Sequence, residues 1–272
     1  MPVTAKPASY TAGAATLRPN HLWMFDEGSG TALTDIGSTG GKDLTIVGAD
    51  WNVAEATHGT TLSFVEANSD YAHRTETGSE PVIGITTSFT VALLLKTVDA
   101  SRDMVGICDA SGADAYFMGG ADITPEQRWS VRNYAAVSPT ADDIVGATFD
   151  TSWHWCVWTF GTDAQTGSYD GTLYGSAAMT GNVALAANQA LMDRFCIGGR
   201  ISSSPAYADI EVAAAAVWVN TILDETQQLD LWNSGDVWTA MGVVVATGQP
   251  AHSRRRGVSG MNTIASRFGR GW

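Results

Sequence analysis

Two carboxylates, Asp209 and Glu211, stand two residues apart just before the apolar run 212–217. In a strand, side chains at this spacing point to the same face of the sheet. Hydrolysis of a glycosidic bond needs two such carboxyl groups on one bond, one as acid and one as nucleophile or base. The fuller pattern Glu-x-Asp-x-x-Glu does not occur in the sequence. We therefore expect the pair to lie at a solvated strand edge or in a turn, and the chain not to be an enzyme.

Calcium is a better candidate ligand, because aspartate side chains and backbone carbonyls are the oxygen donors that it prefers. Asp26 lies in the turn after a bulky apolar run, and Asp209 precedes the last long strand. First and last strands are often neighbours, which would bring these two carboxylates to one calcium site. Asn68 and Asp70 offer a second loop site. The alternative at each place is that the aspartates accept hydrogen bonds from turn amides.

The remaining polar and aromatic residues predict no further chemical centre. The five histidines show no ligand spacing, and His154 lies between two tryptophans, where packing explains it. The Gly-rich pairs are turns, because no helix follows a strand at any of them, as a phosphate-binding loop requires. Ten tryptophans could supply a surface that stacks on sugars, but half of them lie in predicted strands, where core packing is the ordinary explanation. These five are Trp23, Trp153, Trp155, Trp158 and Trp218.

The chain of 272 residues divides into an acidic body and a basic end. Residues 1–250 hold ten basic and 28 acidic side chains, a net charge of −18, and residues 251–272 carry +5. Such an end is expected to seek an anionic partner surface, although a solvated, flexible end explains it as well. It has no motif that reads a nucleic acid sequence. The predicted partner contacts of the C-terminal segment are Trp238, Arg254, Arg255, Arg256, Arg267, Arg270 and Trp272.

Cysteine usage and the N-terminus predict where the chain is made. Cys108, Cys156 and Cys196 are odd in number and far apart, which favours buried free thiols over disulfides or a zinc site. Residues 1–7 lack the apolar core of a signal peptide, and no run is long and apolar enough to span a bilayer. We expect synthesis in a reducing cytoplasm and no insertion into a membrane.

Short apolar or alternating segments separated by glycines favour an all-β fold. The opening strand, within 22–31, ends in an acidic Gly-rich turn. Residues 88–96 form the clearest strand, and their mostly apolar character predicts cover on both faces. Residues 153–160 are also strand-like, with Cys156, Trp158 and Phe160 on one face.

Two local signals predict a hairpin and a helix. Asp170-Gly171 is a pair typical of a two-residue hairpin turn. Asp224 is a good N-cap, and Gln227 stands three residues on, where a capping-box partner belongs. Leucines and a tryptophan follow, and Gly235 is a fitting helix stop. The sequence therefore predicts one short helix near the end of the body.

The order of these elements resembles the laminin-G-like, concanavalin-A-like jelly-roll family, in the form found in bacterial and phage proteins. Its opening pattern is matched by Trp-Met-Phe-Asp-Glu-Gly-Ser-Gly-Thr, with Asp35 as the aspartate that follows. The chain departs from the family at Leu94, where a tryptophan is common, and in the shortened hairpin at 173–174. The segments that carry the likeness are 23–31, 62–64, 70–72, 88–96, 153–161, 197–199, 209–212 and 223–235.

The resemblance implies an antiparallel β-sandwich of concanavalin-A-like jelly-roll type, with one short C-terminal helix and extended terminal arms. The expected boundaries are an N-terminal arm at 1–20, the sandwich domain at 21–235 and a C-terminal arm with its basic end at 236–272. We expect a homo-oligomer, because irregular ends suit contacts with neighbouring subunits.

Two functions of different classes fit these features. The first is a structural virion protein, such as a bacteriophage capsid decoration or fibre component, whose arms grip other virion proteins. The second is a glycan-binding lectin module, with or without calcium, that attaches to a cell surface. The structural role needs the arms, and the lectin role needs loop carboxylates and exposed aromatic side chains. We expect the protein to be located in the virion after synthesis in the host cytoplasm.

Overall fold

The computed structural model describes most of the chain, in thirteen segments. They are residues 5–7, 9–13, 15–77, 80–97, 103–108, 116–122, 128–133, 140–144, 150–160, 164–178, 193–201, 205–233 and 237–245. The strands are β1 (Tyr10–Ala12), β2 (His21–Trp23), β3 (Ala32–Leu33), β4 (Leu44–Val47), β5 (Asp50–Glu55), β6 (Gly59–Phe64), β7 (Tyr71–Thr75), β8 (Phe89–Thr97), β9 (Asp103–Cys108), β10 (Tyr116–Asp122), β11 (Arg128–Asn133), β12 (Thr140–Ile144), β13 (Trp153–Phe160), β14 (Ala164–Tyr169), β15 (Thr172–Ala178), β16 (Arg194–Ile197), β17 (Gly199–Arg200), β18 (Ala206–Tyr207), β19 (Ile210–Val219) and β20 (Val243–Val245). The helices are α1 (Glu225–Asn233) and α2 (Val237–Ala240), and short 3₁₀ turns lie at Glu66–Asn68 and Val82–Gly84.

Most of the strands form two antiparallel sheets of eight strands each. The first sheet has the order β12–β11–β10–β9–β16–β7–β4–β3. The second has the order β15–β14–β13–β8–β19–β6–β5, and β2 also pairs with β19. Two small sheets, β1–β20 and β17–β18, lie outside this pair. The predicted all-β antiparallel sandwich is confirmed.

The main core lies between the two sheets and follows the two-residue period of the strands. On β13, Cys156, Trp158 and Phe160 all point into it, as the sequence predicted. Phe160 stacks on Phe89 of β8 with ring centroids 4.4 Å apart. Phe195 of the first sheet belongs to the same cluster, so both sheets contribute their inner faces to one continuous core.

The outer face of the second sheet is covered as well. Leu94 and Trp155 on this face join Leu231 of α1 and Val243 of β20 in a second buried cluster. The prediction that residues 88–96 are covered on both faces is confirmed. Trp238 of α2 lies in this cluster and is 2% exposed. The expectation that Trp238 anchors an arm to a partner is therefore wrong, because its indole is buried within its own chain.

The described parts of both terminal segments pack onto the body. Strand β1 pairs with β20, with Tyr10 opposite Val245 and Ala12 opposite Val243. Residues 10–12 and 243–245 therefore form one small sheet. The predicted contacts Arg254, Arg255, Arg256, Arg267, Arg270 and Trp272 lie outside the described residues.

The local turn and helix signals act as the sequence predicted. The backbone N–H of Gln227 donates to Asp224 Oδ1 at 2.8 Å, and the N–H of Asp224 donates to Gln227 Oε1 at 2.9 Å. This reciprocal pair is the capping box that starts α1. Asp170 and Gly171 both have positive φ, at 51° and 74°, as a type I′ hairpin turn requires. Helix α2, which follows α1, was not predicted.

Asp35 organises the opening of the sandwich. Its carboxylate accepts the backbone N–H groups of Leu22 at 3.0 Å, Gly37 at 2.9 Å and Lys42 at 3.1 Å. His21 Nδ1 lies 2.7 Å from Asp35 Oδ2. Burial acts to raise the pKa of Asp35, but the bonds from His21, Gly37 and Leu22 outweigh burial and lower it. The ionised carboxylate thus holds β2 to the loop that follows it.

We predict that Asp35→Asn lowers the free energy of unfolding at pH 7 by about 2–3 kcal/mol, because buried amides lose a charged acceptor. The folded-state pKa is below the ordinary value, so the stabilisation is present above about pH 4 and is lost as the pH falls further. Denaturant unfolding between pH 3 and 7 should show the difference between the two proteins shrinking on acidification. Asp230→Asn, at an exposed site on α1, should change little, and a constant difference across this range would refute the assignment.

Candidate functional site

The two aspartates predicted to share calcium are not brought together. Strand β2 does pair with β19, with Trp23 opposite Ala215. At residues 210–212, however, β6 takes the place of β2 beside β19. Asp209 Oδ1 therefore lies beyond that edge and accepts the N–H of Glu66 at 2.7 Å. Asp26 Oδ2 instead accepts the hydroxyl of Tyr10 at 2.8 Å.

This corrects the prediction of a shared site at Asp26 and Asp209, because β6 lies between the two positions. Among the described residues, no group of three or more histidines, cysteines or acidic residues is placed to hold a metal ion. Asp70 of the second predicted site accepts the N–H of Val65 at 3.0 Å. The alternative that these aspartates bind turn amides fits Asp70 and Asp209.

A lysine ammonium lies at the point along the edge of β19 where β6 replaces β2 as the paired strand. Lys6 is 8% exposed, and its Nζ donates to backbone oxygens at the end of β2, in β6 and at the bulge of β19. Together these oxygens form the carbonyl cage. Its members are Met24 O at 2.8 Å, Phe25 O at 3.1 Å, Ala213 O at 3.3 Å and Thr60 O.

The surroundings of Lys6 explain how this charge is kept in a buried place. Burial lowers the pKa of Lys6 to about 8, although the nearby carboxylates of Asp26, Glu27 and Glu55 act to raise it. The backbone N–H of Lys6 also donates to His58 Nδ1 at 3.1 Å. Burial lowers the pKa of His58 to about 4, so this ring is neutral and can accept that bond. The N-terminal segment is thereby fastened to the second sheet.

Glu211 forms a closed polar cluster on the outer face of the second sheet. Its carboxylate lies 2.6 Å from Lys96 Nζ and accepts Asn52 Nδ2 at 2.9 Å and the hydroxyl of Thr61. Asp209 does not join this cluster, because it bonds the turn before β7. The two carboxylates therefore do not face one bond, and the pair offers no acid and base for glycoside hydrolysis.

The outer face of the first sheet differs, because aromatic and basic side chains there reach solvent. On β7, Tyr71 and His73 are partly exposed while Ala72 between them is buried. Tyr207 of β18 lies beside them, with its ring centroid 6.1 Å from that of Tyr71. The rings of Tyr71 and His73 are 5.2 Å apart. We call Tyr71, His73, Tyr207 and Arg194 of the paired strand β16 the tyrosine face.

Strand pairing brings these four residues together across the chain. In the first sheet β7 pairs with β16 on one side and with β4 on the other. Thr45 and Val47 of β4 lie opposite His73 and Tyr71, and both are exposed. The β17–β18 hairpin contacts β9 and so places Tyr207 over the same sheet. The result is a shallow surface with rings in its middle and small side chains at one border.

Thr75 fixes the polar groups of the tyrosine face. Arg194 Nε donates to Thr75 Oγ1 at 3.0 Å, and His73 Nδ1 lies 3.2 Å from the same oxygen. Burial, and next the charge of Arg194, lower the pKa of His73, so the ring is neutral at pH 7. We assign the Thr75 hydroxyl hydrogen to His73 Nδ1, which leaves Nε2–H as a donor for a ligand.

Arg194 differs from Arg74 of the same sheet and from Arg200 of β17, which both lie near a carboxylate. Arg74 lies 3.2 Å from a carboxylate oxygen of Glu76, and Arg200 lies 3.5 Å from Asp103. Within the described segments, no carboxylate pairs with Arg194, whose side chain donates a hydrogen bond to Thr75. A guanidinium without a counter-ion beside aromatic rings can bind a ligand through charge and a fork of donors.

Sequence reasoning did not single out these residues as a site. Tyr71 was noted for its likeness to a family pattern, and His73 was set aside for lack of ligand spacing. The alternation of 71, 73 and 75 around buried Ala72 is a signal that one strand face is solvated. Nothing local shows that Arg194, 119 residues from Thr75, lies on that face.

Other predicted residues take structural places. Cys108, Cys156 and Cys196 are free and buried, as predicted. His154 is buried and stacks on Tyr169 with centroids 4.3 Å apart, which confirms its packing role. Its ring nitrogens also contact Asp150 at 2.9 Å and Asp170 at 2.8 Å. Four of the five strand tryptophans are buried, and Trp153 is partly exposed.

Comparison with known proteins shows the fold and not the family. No family model and no curated protein sequence matches the chain. A sialidase of Trypanosoma rangeli, solved with 2,3-difluorosialic acid, superposes with a TM-score of 0.56 at 15% identity. The chain has a lectin-like β-sandwich fold. The binding domain of botulinum neurotoxin DC, solved with rat synaptotagmin II, superposes with a TM-score of 0.53 at 9% identity.

These likenesses cover only part of the larger proteins. The matched region is 84% of this chain but 36% of the sialidase. It is 80% of this chain and 52% of the toxin binding domain. Among the described residues, no helix is long and apolar enough to cross a membrane.

We predict that Lys6→Met lowers the free energy of unfolding by about 3 kcal/mol, because the carbonyl cage loses its donors while it stays buried. Urea unfolding followed by tryptophan fluorescence measures this. Arg18→Met is the matched control, since its guanidinium contacts the carbonyls of Ile36 and Gly37 at the long distances of 3.4 and 3.3 Å. Equal losses in the two variants would mean that the carbonyl cage has no special role.

Proposed function

We propose that this chain is a non-enzymatic glycan-binding module whose ligand lies on the tyrosine face. The observation that supports this most is the pair of tyrosines with ring centroids 6.1 Å apart on a partly exposed sheet surface. Aromatic rings at this spacing can cover the apolar C–H face of a sugar ring while their hydroxyls bond its edge. His73 and Arg194 add donors that would orient the sugar hydroxyls.

The rest of the described molecule favours this face over other surfaces. The outer face of the second sheet is covered by α1, α2, β1 and β20. The carboxylates of Asp26 and Asp209 are engaged in separate hydrogen bonds. Among the similar folds, one protein was solved with a sialic acid derivative and another with rat synaptotagmin II. The chain matches only 36% and 52% of these two proteins, so the sugar-stacking geometry of the tyrosine face, and not the likeness, favours a glycan.

The structural virion role stays a prediction that the terminal segment would decide. Residues 246–272, which include the five arginines, lie outside the described residues. The two roles are compatible, since a capsid decoration or fibre protein with this face would attach a particle to cell-surface glycans. Deleting residues 251–272 separates them. Loss of assembly onto a particle with glycan binding intact would assign assembly to the end and recognition to the face.

We predict binding on a glycan array that persists in EDTA, because the described part of the tyrosine face contains no carboxylate for calcium. Tyr71→Ala and Tyr207→Ala should each weaken the strongest hit by about tenfold or more, as expected for aromatic side chains at the centre of a binding surface. Isothermal titration of that glycan measures the loss.

The matched controls are Tyr71→Phe, which keeps the ring, and Val53→Ala, which shortens an exposed side chain on the second sheet. Both should bind nearly as the parent does. No hit on the array, or an affinity unchanged in both alanine variants, would rule out the tyrosine face as a glycan site.

A further inference from the structure

We infer that the glycan bound by the tyrosine face is acidic, and that Arg194 holds its carboxylate. This inference rests on the proposed function and adds the class of sugar. It comes from the guanidinium and not from the rings, since the tyrosines alone would accept neutral sugars equally well. The same reasoning makes Arg194 a specificity-determining residue.

The guanidinium of Arg194 is held in place through its Nε–H, and its Nη groups are available to a ligand. Its Nε–H is bonded to Thr75 Oγ1 at 3.0 Å, which holds the side chain along the sheet surface. The Nη groups present the fork of donors that matches a carboxylate in two parallel bonds. Because the orientation is set by Thr75 before any ligand binds, little side-chain freedom is lost on binding.

The neighbours of Arg194 favour an anion without neutralising the guanidinium. Tyr71 and His73 are uncharged at neutral pH, since burial raises the pKa of Tyr71 and lowers that of His73. By contrast, Arg74 of this sheet and Arg200 of β17 already have carboxylate partners at 3.2 and 3.5 Å. Of these three arginines, Arg194 is therefore the one left to pair with a ligand.

The charge of the body limits the size of that anion. Residues 1–250 carry a net charge of −18, which repels long polyanions such as nucleic acids at a distance. An ion pair with Arg194 acts only at short range on this negatively charged protein. It therefore favours a ligand that has a single carboxylate next to a sugar ring that can stack on the tyrosines. A terminal acidic sugar has both features.

The test compares probes that differ in charge at one place. The probes are 3′-sialyllactose, its carboxyl methyl ester, lactose and 3′-sulfolactose, each titrated by calorimetry into the full chain. We expect 3′-sialyllactose to bind at least tenfold more tightly than its ester and than lactose. Arg194→Gln should remove this preference, and Arg194→Lys should keep part of it. Arg74→Gln, one position from His73 and paired with Glu76, is the control that should leave the preference intact.

The outcomes separate this inference from the proposed function. If the ester or lactose binds as tightly as the acid, or if 3′-sulfolactose binds more tightly than the sialylated sugar, the carboxylate class is overturned while a glycan site remains. A preference that survives in Arg194→Gln would overturn the role of Arg194. If these probes and every neutral glycan of the array fail to bind, the proposed function itself fails. Circular dichroism and unfolding of each variant show that it is folded.

Discussion

One edge of β19 pairs with two strands in succession, and the buried carbonyl oxygens between them need hydrogen-bond donors. Strand β2 pairs with residues 215–217, and β6 pairs with residues 210–212. Carbonyl oxygens at this change of partner would otherwise be buried without donors, which is costly. The ammonium of Lys6 supplies three hydrogens at that point. The N-terminal segment is thus part of the second sheet's stability, although it contributes no strand to it.

The segment that carries Lys6 also leads into the elements that cover the second sheet. With Lys6 in the carbonyl cage, the following residues reach β20 and form the small β1–β20 sheet beside α1 and α2. Large side chains such as Trp155 and Trp238 then fill the space above the second sheet. In the part of the chain that the structure describes, Tyr71 and His73 of the first sheet have no such cover and are partly exposed. A ligand that needs a broad sheet surface is therefore directed to the first sheet.

Local structure could be predicted because each turn, helix cap or strand pattern depends on residues that are close in sequence. The Asp224–Gln227 capping box, the Asp170-Gly171 turn and the two-sided burial of 88–96 all follow from short patterns. The sandwich was predicted through the resemblance to the jelly-roll family. The site could not be predicted in the same way. Arg194 meets Thr75 only through the pairing of β16 with β7, and no short pattern encodes that register.

Two further differences have the same cause. Asp26 and Asp209 were expected to meet because the first and last strands pair, and those strands do pair. The bulge at Ala213 and the arrival of β6 then separate the two carboxylates. Trp238 was expected to contact a partner because residues 236–272 were predicted to form an extended arm. Its indole is buried because it packs on the outer face of the second sheet, against residues such as Leu94 and Trp155 that lie much earlier in the chain.

The most direct test of this account is an NMR titration of the labelled full chain with the tightest-binding glycan of the array. The account predicts that the largest amide shift changes fall on Tyr71, His73, Arg194 and Tyr207 and on their neighbours in β4 and β16. Shift changes centred instead on the turn at Asp26, on Asp209 or on the Glu211 cluster would contradict it. In that case the open face of the first sheet would not be the binding surface.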